Sequence, residues 1–400
     1  MNTSAQLVLK EGRERPVLRR HPWIFSGAIQ MQDGDPGPGE TVEIRDKQGE
    51  FLAWGAYSPV SQIRARIWSW DPEQKIGRAF LRSRLERAIA YRELIEFNYP
   101  MRRLVHGESD GIPGLIVDQY GSFLIIQVLS AGAEYWKEEI IEQLADLIKP
   151  TGIYERSDVE VRTLEGLEQR TGNVFGSFPA ELLEVEDEGL KYWIDFQEGH
   201  KTGFYLDQRL NRKLIGNQCH GLQVLDCFCY SGGFSLQALR AGAASVTLVD
   251  NSDRALSLAQ RQIELNHLEQ GRVDYQQGDV FNILREFRDR NLSFDVIILD
   301  PPKFAPTASL AKRAARGYKD INLLAMKLLN EGGLLATFSC SGGVSREFFL
   351  RILSGAALDA KVNARIQAHM GQSSDHSVNL SFPEGTYLKG FAIRVDKQEV

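Results

Sequence analysis

The chain has little cysteine, four in 400 residues. That is too few for a disulfide framework and fits a reduced, cytoplasmic protein. Its seven histidines form no ligand-spaced pair such as H-x-x-x-H, so no metal site is expected. No run approaches the roughly 18 apolar residues of a membrane span. The opening MNTSAQLVLKEGRERP lacks the apolar core of a signal peptide. There is no G-x-G-x-x-G dinucleotide fingerprint, no internal repeat and no low-complexity linker. Hydrophobic residues at 43% and charged residues at 25% exclude a disordered or fibrous chain. The length suggests two or three domains.

Net positive charge is also missing: the chain carries −6, which taken alone argues against a polyanionic partner. The distribution changes that reading. Residues 1–105 hold 17 Lys and Arg against 13 Asp and Glu, and residues 106–400 hold 30 against 40. The basic excess is clustered. Lys10, Arg13, Arg15, Arg19 and Arg20 gather with His21, and Arg64 pairs with Arg66. Trp23, Phe25, Trp68 and Trp70 interleave with these two clusters. Basic groups neutralise phosphates and flat rings stack on bases, so Arg19, Arg20 and His21 are candidate RNA contacts. A third cluster, Lys75, Arg78, Arg82, Arg84, Arg87 and Arg92, falls on a helical pattern and reads as a solvated face.

Residues 1–75 read as short strands, QLVLKE, TVEIRD, EFLAWGAYS and QIRARIWSW, in a small β-barrel-type module. Residues 76–97 have helical spacing, with Phe80, Leu81, Leu85, Ala88, Ile89 and Leu94 on one face. Residues 76–190 form a central α/β region. It holds a hairpin (GLIVDQYGSFLIIQVLS), an amphipathic helix (AEYWKEEIIEQLADLIKP) ended by Pro150, and a strand (GIYERSD). From 191 to 400, apolar strands alternate with helices in a Rossmann-like α/β pattern, closed by a late strand over 386–395. Such a sheet binds its ligand at the carboxyl ends of the strands.

Those ends carry the unusual residues. The first strand runs through Asp226 into Phe228, Tyr230, Gly232 and Gly233, a loop that opens a helix and favours an anionic group. The second ends at Asp250-Asn251, where the acid could accept both hydroxyls of a ribose. The third ends at Asp279-Val280, suited to an adenine amino group and ring. In this order and spacing they resemble the S-adenosylmethionine site of a class I methyltransferase. The fourth strand ends in Asp300-Pro301-Pro302-Lys303-Phe304, a stiff loop that could hold a planar base. Methyltransferases acting on amino nitrogens place the ring directly after the prolines. Here Lys303 intervenes, which calls for a different nucleophile. The next strand ends at Cys340. A thiolate there could add to C6 of a pyrimidine and make C5 nucleophilic, with Asp300 near N3 of the base. The competing reading is a small buried hydrophobe. Cys227 and Cys229 read as packing residues.

The chain is similar over nearly its whole length to the bacterial 23S ribosomal RNA cytosine-5 methyltransferases of the RlmI family. The stretches are LRRHPWIFSGAI (18–29), GAYSPVSQIRARIW (55–68), GESDGIPGLIVDQYG (107–121), YERSDVEVR (154–162) and GHKTGFYLDQR (199–209). They continue with DCFCYSGGF (226–234), DPPKF (300–304), RGYKDIN (316–322), FSCSGG (338–343) and FPEGTYLKGF (382–391). The resemblance implies an N-terminal PUA domain that binds RNA, S-adenosylmethionine as methyl donor, Cys340 as nucleophile and 23S ribosomal RNA as partner. No second cysteine stands beside Pro301-Pro302. A one-cysteine cycle is therefore implied, in which Asp300 or a bound water could take the C5 proton. His200–Gly203 and Asp207–Arg209 also match the family. They would either cap the methionine end of the cofactor, through Gln208, or form a domain-joining turn and helix. Two alternatives stand beside this reading: methylation of a base amino nitrogen, and an inactive RNA-binding assembly factor.

Overall fold

Six short strands build the N-terminal sheet of the computed structural model, which describes residues 5–95, 99–304 and 311–397. Their order is Trp23–Phe25, Ile63–Ser69, Phe51–Tyr57, Thr41–Arg45, Gln6–Leu9, Ile29–Asp33. Gln6–Leu9 and Thr41–Arg45 pair in parallel; the other pairs are antiparallel. The two edge strands follow one another in the chain, joined by the single turn Ser26–Ala28. Such a link reaches at most about 14 Å, so the sheet must curl until its edges meet. This is the expected barrel-type module. Leu7, Leu9, Ile24, Val42, Ile44, Ala65 and Ile67 fill it. Trp68, expected among the RNA-facing aromatics, is instead a core residue, 1% exposed.

A five-stranded sheet follows, in the order Arg170–Gly176, Gly152–Ser157, Phe123–Val128, Leu115–Tyr120, Met101–His106. The helices Arg78–Ile95 and Lys137–Ile148 share its core, with Phe80, Leu81, Leu85, Ile140 and Leu144 against Leu124, Ile126 and Val128. Two expectations fail on the first helix. Leu94 is 81% exposed, and Arg92 is fully buried. Arg92 donates to the Arg103 carbonyl, the Asp110 carboxylate and the Asp375 carbonyl. These acceptors recover what desolvating a guanidinium costs. The second helix breaks at Trp136, with Ala131–Tyr135 as a separate turn capped by Ser130. Both sheets belong to one unit, which comprises residues up to Gly189, Ile194–Leu206 and Ser374–Gly385.

The other unit comprises Leu190–Trp193, Asp207–Ser373 and the residues from Thr386 on. The strands of its seven-stranded sheet, numbered along the chain, are Gln223–Cys227, Ser245–Asp250, Val273–Gln277, Phe294–Leu299, Leu329–Ser339, Val362–Met370 and Lys389–Lys397. They lie in the order 3-2-1-4-5-7-6. The first five are parallel, and the seventh pairs antiparallel with both the fifth and the sixth. The first and fourth strands are almost wholly buried, which is why they read as near-continuous apolar runs. The sixth strand, not among the sequence expectations, exposes most of its residues, although Val362, Ala364, Ile366, Ala368 and Met370 alternate with polar residues as in a strand. The strand order reverses between strands one and four. The crevice beyond their carboxyl ends is where such a sheet binds a ligand. Among the described residues no helix is long and apolar enough to cross a membrane.

Candidate active site

The loop after the first strand is shaped by its own backbone. Phe228, Tyr230 and Gly232 all take positive φ, at 60°, 48° and 73°. For the two side-chain-bearing residues this conformation costs roughly 1–3 kcal/mol each. Three hydrogen bonds hold it: Cys229 N–H to the Val249 carbonyl at 3.2 Å, Tyr230 N–H to Asp250 at 2.9 Å, and Gly232 N–H to the Cys229 carbonyl at 2.9 Å. A Cβ at Gly232 would sit 3.0 Å from that of Ala259. The glycine is thus required by helix packing as well as by its φ. Gly233 begins the helix Gly233–Arg240.

Asp226 faces inward, 1% exposed. It accepts from the Ser235 amide at 3.1 Å and the Ser235 hydroxyl at 2.7 Å, so it caps the helix from within the sheet. Burial pushes its carboxyl up to about 7, the Ser235 bonds oppose the rise, and the charges of Asp300 and Asp250 add to it. Asp250 is half-buried. Its two oxygens are fixed by the amides of Tyr230 at 2.9 Å and Ser252 at 3.0 Å. A carboxylate offers about four acceptor directions, so it keeps capacity for two hydroxyls. Asn251 is exposed on the following turn. Asp279 caps the next helix through Asn282 N–H at 3.0 Å and is itself exposed, whereas Val280 is buried in the core. Phe281, one of the apolar residues that follow this acid in the sequence, packs its ring 6.0 Å from Phe304.

At the end of the fourth strand Asp300 accepts from Gln208 at 2.9 Å. The Gln208 side-chain oxygen accepts in turn from Asn211 at 2.6 Å, and Asn211 also donates to the Gly371 carbonyl at 2.8 Å. Gln208 is therefore a positioned, buried member of the crevice. The preceding Thr202-Gly203 serves the other unit. There Thr202 donates to Asp118 at 2.6 Å, and a Cβ on Gly203 would meet Ile194 at 2.7 Å. Pro301 is buried, Pro302 and Lys303 are exposed, and Phe304 packs 4.7 Å from the Tyr318 ring.

Of the four cysteines, Cys219, Cys227 and Cys229 are buried and Cys340 alone is partly exposed. Burial pushes the Cys219 thiol up to about 12 and those of Cys227 and Cys229 well above their ordinary value, the nearby Asp226 charge adding to each. Such thiols are inert. Cys340 follows the fifth strand, which runs parallel to the fourth, so its turn and the Asp300 loop leave adjacent strand ends. Two residues missed in the sequence surround it. Tyr318, fully buried, bonds the hydroxyls of Ser339 at 2.9 Å and Ser341 at 3.0 Å. Lys389, at the start of the seventh strand opposite Ser339, donates to the Ser341 carbonyl at 2.8 Å. Burial pushes its ammonium down to about 8, a Cys340 thiolate draws it back up, and Arg346 and Lys303 push it down. Neither residue lies near Cys340 in sequence, although both fall within stretches that carry the resemblance.

In the first unit Arg19 and Arg20 are exposed after the short helix Arg15–Leu18 and line one cleft, with Arg20 5.3 Å over the Trp70 ring. His21 turns elsewhere. It meets Glu384 at 3.3 Å and packs edge-on against Trp23 and Phe382. Among the described residues no group of three His, Cys, Asp or Glu could hold a metal ion.

Three carboxylates at the ends of adjacent strands, one of them poised to bind hydroxyls, fit a cationic nucleoside such as S-adenosylmethionine. Residues 168–368 match the family model for S-adenosylmethionine-dependent methyltransferases, and residues 7–70 match that for PUA-like domains. The sheet order and the crevice at its reversal agree. The chain is an S-adenosylmethionine-dependent methyltransferase with an N-terminal PUA-like domain. It is 48% identical over 394 residues to Ribosomal RNA large subunit methyltransferase I of Escherichia coli strain K12, covering 98% of this chain and 100% of the relative. Identity to the protein of that name from strain O157:H7 EC4115 is also 48%, with the same coverage. The chain belongs to the ribosomal RNA large subunit methyltransferase I family. Two solved structures share the fold over 97% of this chain and 99% of their own. One is a protein from Streptococcus mutans assigned as an S-adenosylmethionine-dependent methyltransferase, at 21% identity and a TM-score of 0.83. The other is SMU.776, complexed with SAH, at 22% and 0.84.

Proposed function

We propose that the protein methylates C5 of a cytosine in 23S ribosomal RNA, with Cys340 as the nucleophile. The observation that supports this most is the exposure of one cysteine, beside the Asp300 loop, while the other three are buried and inert. S-adenosylmethionine, when bound, supplies an electrophilic methyl group on a sulfonium. Asp250 would hold its ribose hydroxyls, and the exposed Asp279 its adenine amino group. The buried carboxylate of Asp226 adds negative charge to the same crevice. The Cys340 thiolate adds to C6 of the cytosine, and the C5–C6 electron pair moves to C5. Asp300, oriented by Gln208, would hydrogen-bond the base in its protonated form, its O–H donating to N3 as the ring takes up charge. C5 would then take the methyl group as the sulfonium S–CH3 bond breaks to leave a neutral thioether. The C5 proton would pass to Asp300 or a bound water, and its electron pair would re-form the C5–C6 double bond as the C6–S bond breaks to release the thiolate. Pro301, Pro302, Lys303 and Phe304 would form the wall for the base.

We read the chain as three parts: residues 1–75 for RNA binding, 76–190 as a central region and 191–400 for methyl transfer. Arg19, Arg20 and His21 are the proposed RNA contacts of the first. A ribosomal RNA substrate implies action in the cytoplasm. The test is methylation of unmodified 23S ribosomal RNA with labelled cofactor, followed by nucleoside analysis. We expect 5-methylcytosine; N6-methyladenosine would overturn the reading. Cys340→Ala should lower transfer by several orders of magnitude and leave cofactor affinity unchanged. Undiminished transfer by that variant would remove the nucleophile assignment.

A further inference from the structure

A cleft of about 720 Å³ opens in the first unit, and its charge is uneven. Arg19 and Arg20 enter it from the PUA-like module, Arg84 and Arg87 from the helix Arg78–Ile95. The sequence pattern predicts a solvated face for the helix arginines. Arg78 and Arg82 do behave so, in exposed pairs with Glu139, Glu142, Glu86 and Asp146. Arg84 and Arg87 are not so paired: Arg84 is half-buried, donating to the Trp68 carbonyl at 3.4 Å and lying 4.9 Å from the Phe80 ring centroid, and Arg87 is exposed. Among the described residues no carboxylate lies within ion-pair distance of either one, or of Arg19 or Arg20. The two acids in the wall are already engaged: Asp110 with Arg92 at 2.6 Å, and Glu108 with the Trp23 indole at 2.8 Å and Arg66 at 3.4 Å. Burial and the Arg87 charge both push the Arg84 guanidinium down. Like charges are thus held together in a partly desolvated hollow, an arrangement that an anion relieves.

The rest of the cleft is built for more than a simple ion. Tyr91 presents a ring 42% exposed, and Leu380 on the facing segment is fully exposed. That segment is held by Arg92, which donates to the Asp375 carbonyl at 2.8 Å, and by Asp375, which accepts from the Arg103 amide at 2.8 Å. Gly111, at φ +71°, leaves the space in which Arg84 lies, since a Cβ there would be 3.3 Å from its Nη1. Guanidiniums without a carboxylate partner among the described residues, beside an exposed ring and an apolar tip, suit a chain that alternates phosphates with flat bases. The hollow is too confined for a duplex and large enough for a nucleotide.

We propose that this cleft binds a single-stranded segment of RNA, with phosphates on Arg84 and Arg87 as well as Arg19 and Arg20, and a base against Tyr91. The proposal rests on the RNA-methyltransferase reading and adds that the central helix is part of the RNA surface. The test uses the full chain and a short fluorescein-labelled single-stranded RNA of mixed sequence, with a duplex of that sequence as comparison. Arg84→Gln with Arg87→Gln should weaken single-strand binding at least tenfold. It should also lower the slope of log affinity against log salt by about 1.4, at about 0.7 for each phosphate no longer neutralised. The exposed single change Arg87→Glu guards against misfolding of the double variant, and Tyr91→Ala should cost about tenfold by lost stacking. Circular dichroism and S-adenosylmethionine affinity should not change. Binding by the arginine variants within twofold of wild type, with an unaltered salt slope, would overturn the cleft assignment while methyl transfer to ribosomal RNA stands. Preference for the duplex would overturn the single-strand assignment. Failure of the wild type to bind or methylate any RNA would instead defeat the underlying reading.

Discussion

Buried charge is treated differently in the two units. Around the five-stranded sheet Arg92 meets Asp110 at 2.6 Å, Arg103 grips Asp118 through bonds of 2.8 and 2.9 Å, and Arg162 meets Glu134 at 2.9 Å. Each of these inward cations has an acid, and Thr202 and Tyr120 extend the Asp118 network. In the methyltransferase unit Asp226, Asp250 and Asp300 stand at adjacent strand ends, and their mutual repulsion helps push Asp226 up to about 7. Paired charge of the first kind serves architecture. Like charge gathered at a crevice raises the energy of the free protein and lowers that of a complex with a cation.

The largest effect should come from unbalancing a paired site. Arg103→Met leaves Asp118 buried without its cation and should destabilise the chain by about 3–5 kcal/mol, read by denaturant unfolding. Replacing both partners with apolar residues should recover much of that loss. If the single change cost no more than the double one, the pair would not be what holds the sheet's charge in balance.

A smaller, pH-dependent effect should sharpen the contrast from the other side. The Asp226 carboxyl has a folded-state pKa of about 7, against an ordinary value of 3.8 in the unfolded chain. A raised folded value means that its stabilising contribution is complete below the unfolded pKa and is lost as pH rises through the folded one. Wild-type stability should therefore fall between about pH 4 and pH 7, and Asp226→Asn should flatten that fall. S-adenosylmethionine favours the ionised form, so its affinity should rise over the same interval in wild type and less in the variant. Equal pH slopes for the two proteins would break the comparison.

The smallest effect concerns Lys389. If its ammonium helps hold the Cys340 thiolate, Lys389→Met should slow alkylation of Cys340 by iodoacetamide near neutral pH by about threefold, the scale of a partly screened charge pair. The midpoint of the pH–rate curve should move upward. An unchanged midpoint would leave Lys389 with only its bond to Ser341.

Much of this arrangement is legible in the sequence, because the crevice is made at strand ends and those strands are apolar runs. Asp226, Asp250, Asp300 and Cys340 stand out on that basis. What escapes has physical reasons. Tyr318 and Lys389 reach the cysteine turn only through packing and an antiparallel pairing. Val362–Met370 lies at the sheet edge, and its period-two alternation rests on small or exposed residues such as Ala364, Ile366 and Ala368, a weaker signal than the buried apolar runs beside it. Arg92 reverses the expected helix face because its acceptors lie on distant segments. Gln208 is visible only through the resemblance, its bond to Asp300 spanning 92 residues.

The seventh strand sets a timetable for synthesis. Val362–Met370 pairs with Lys389–Lys397, and so does Leu329–Ser339 along its far edge. Until residue 397 has left the ribosome, the sheet has one raw edge and one orphan strand, and the cysteine turn lacks its lysine. The N-terminal module, whose strands are complete by residue 69, is free to form much earlier. A nascent chain can thus acquire its PUA-like module well before its methyl-transfer centre is assembled.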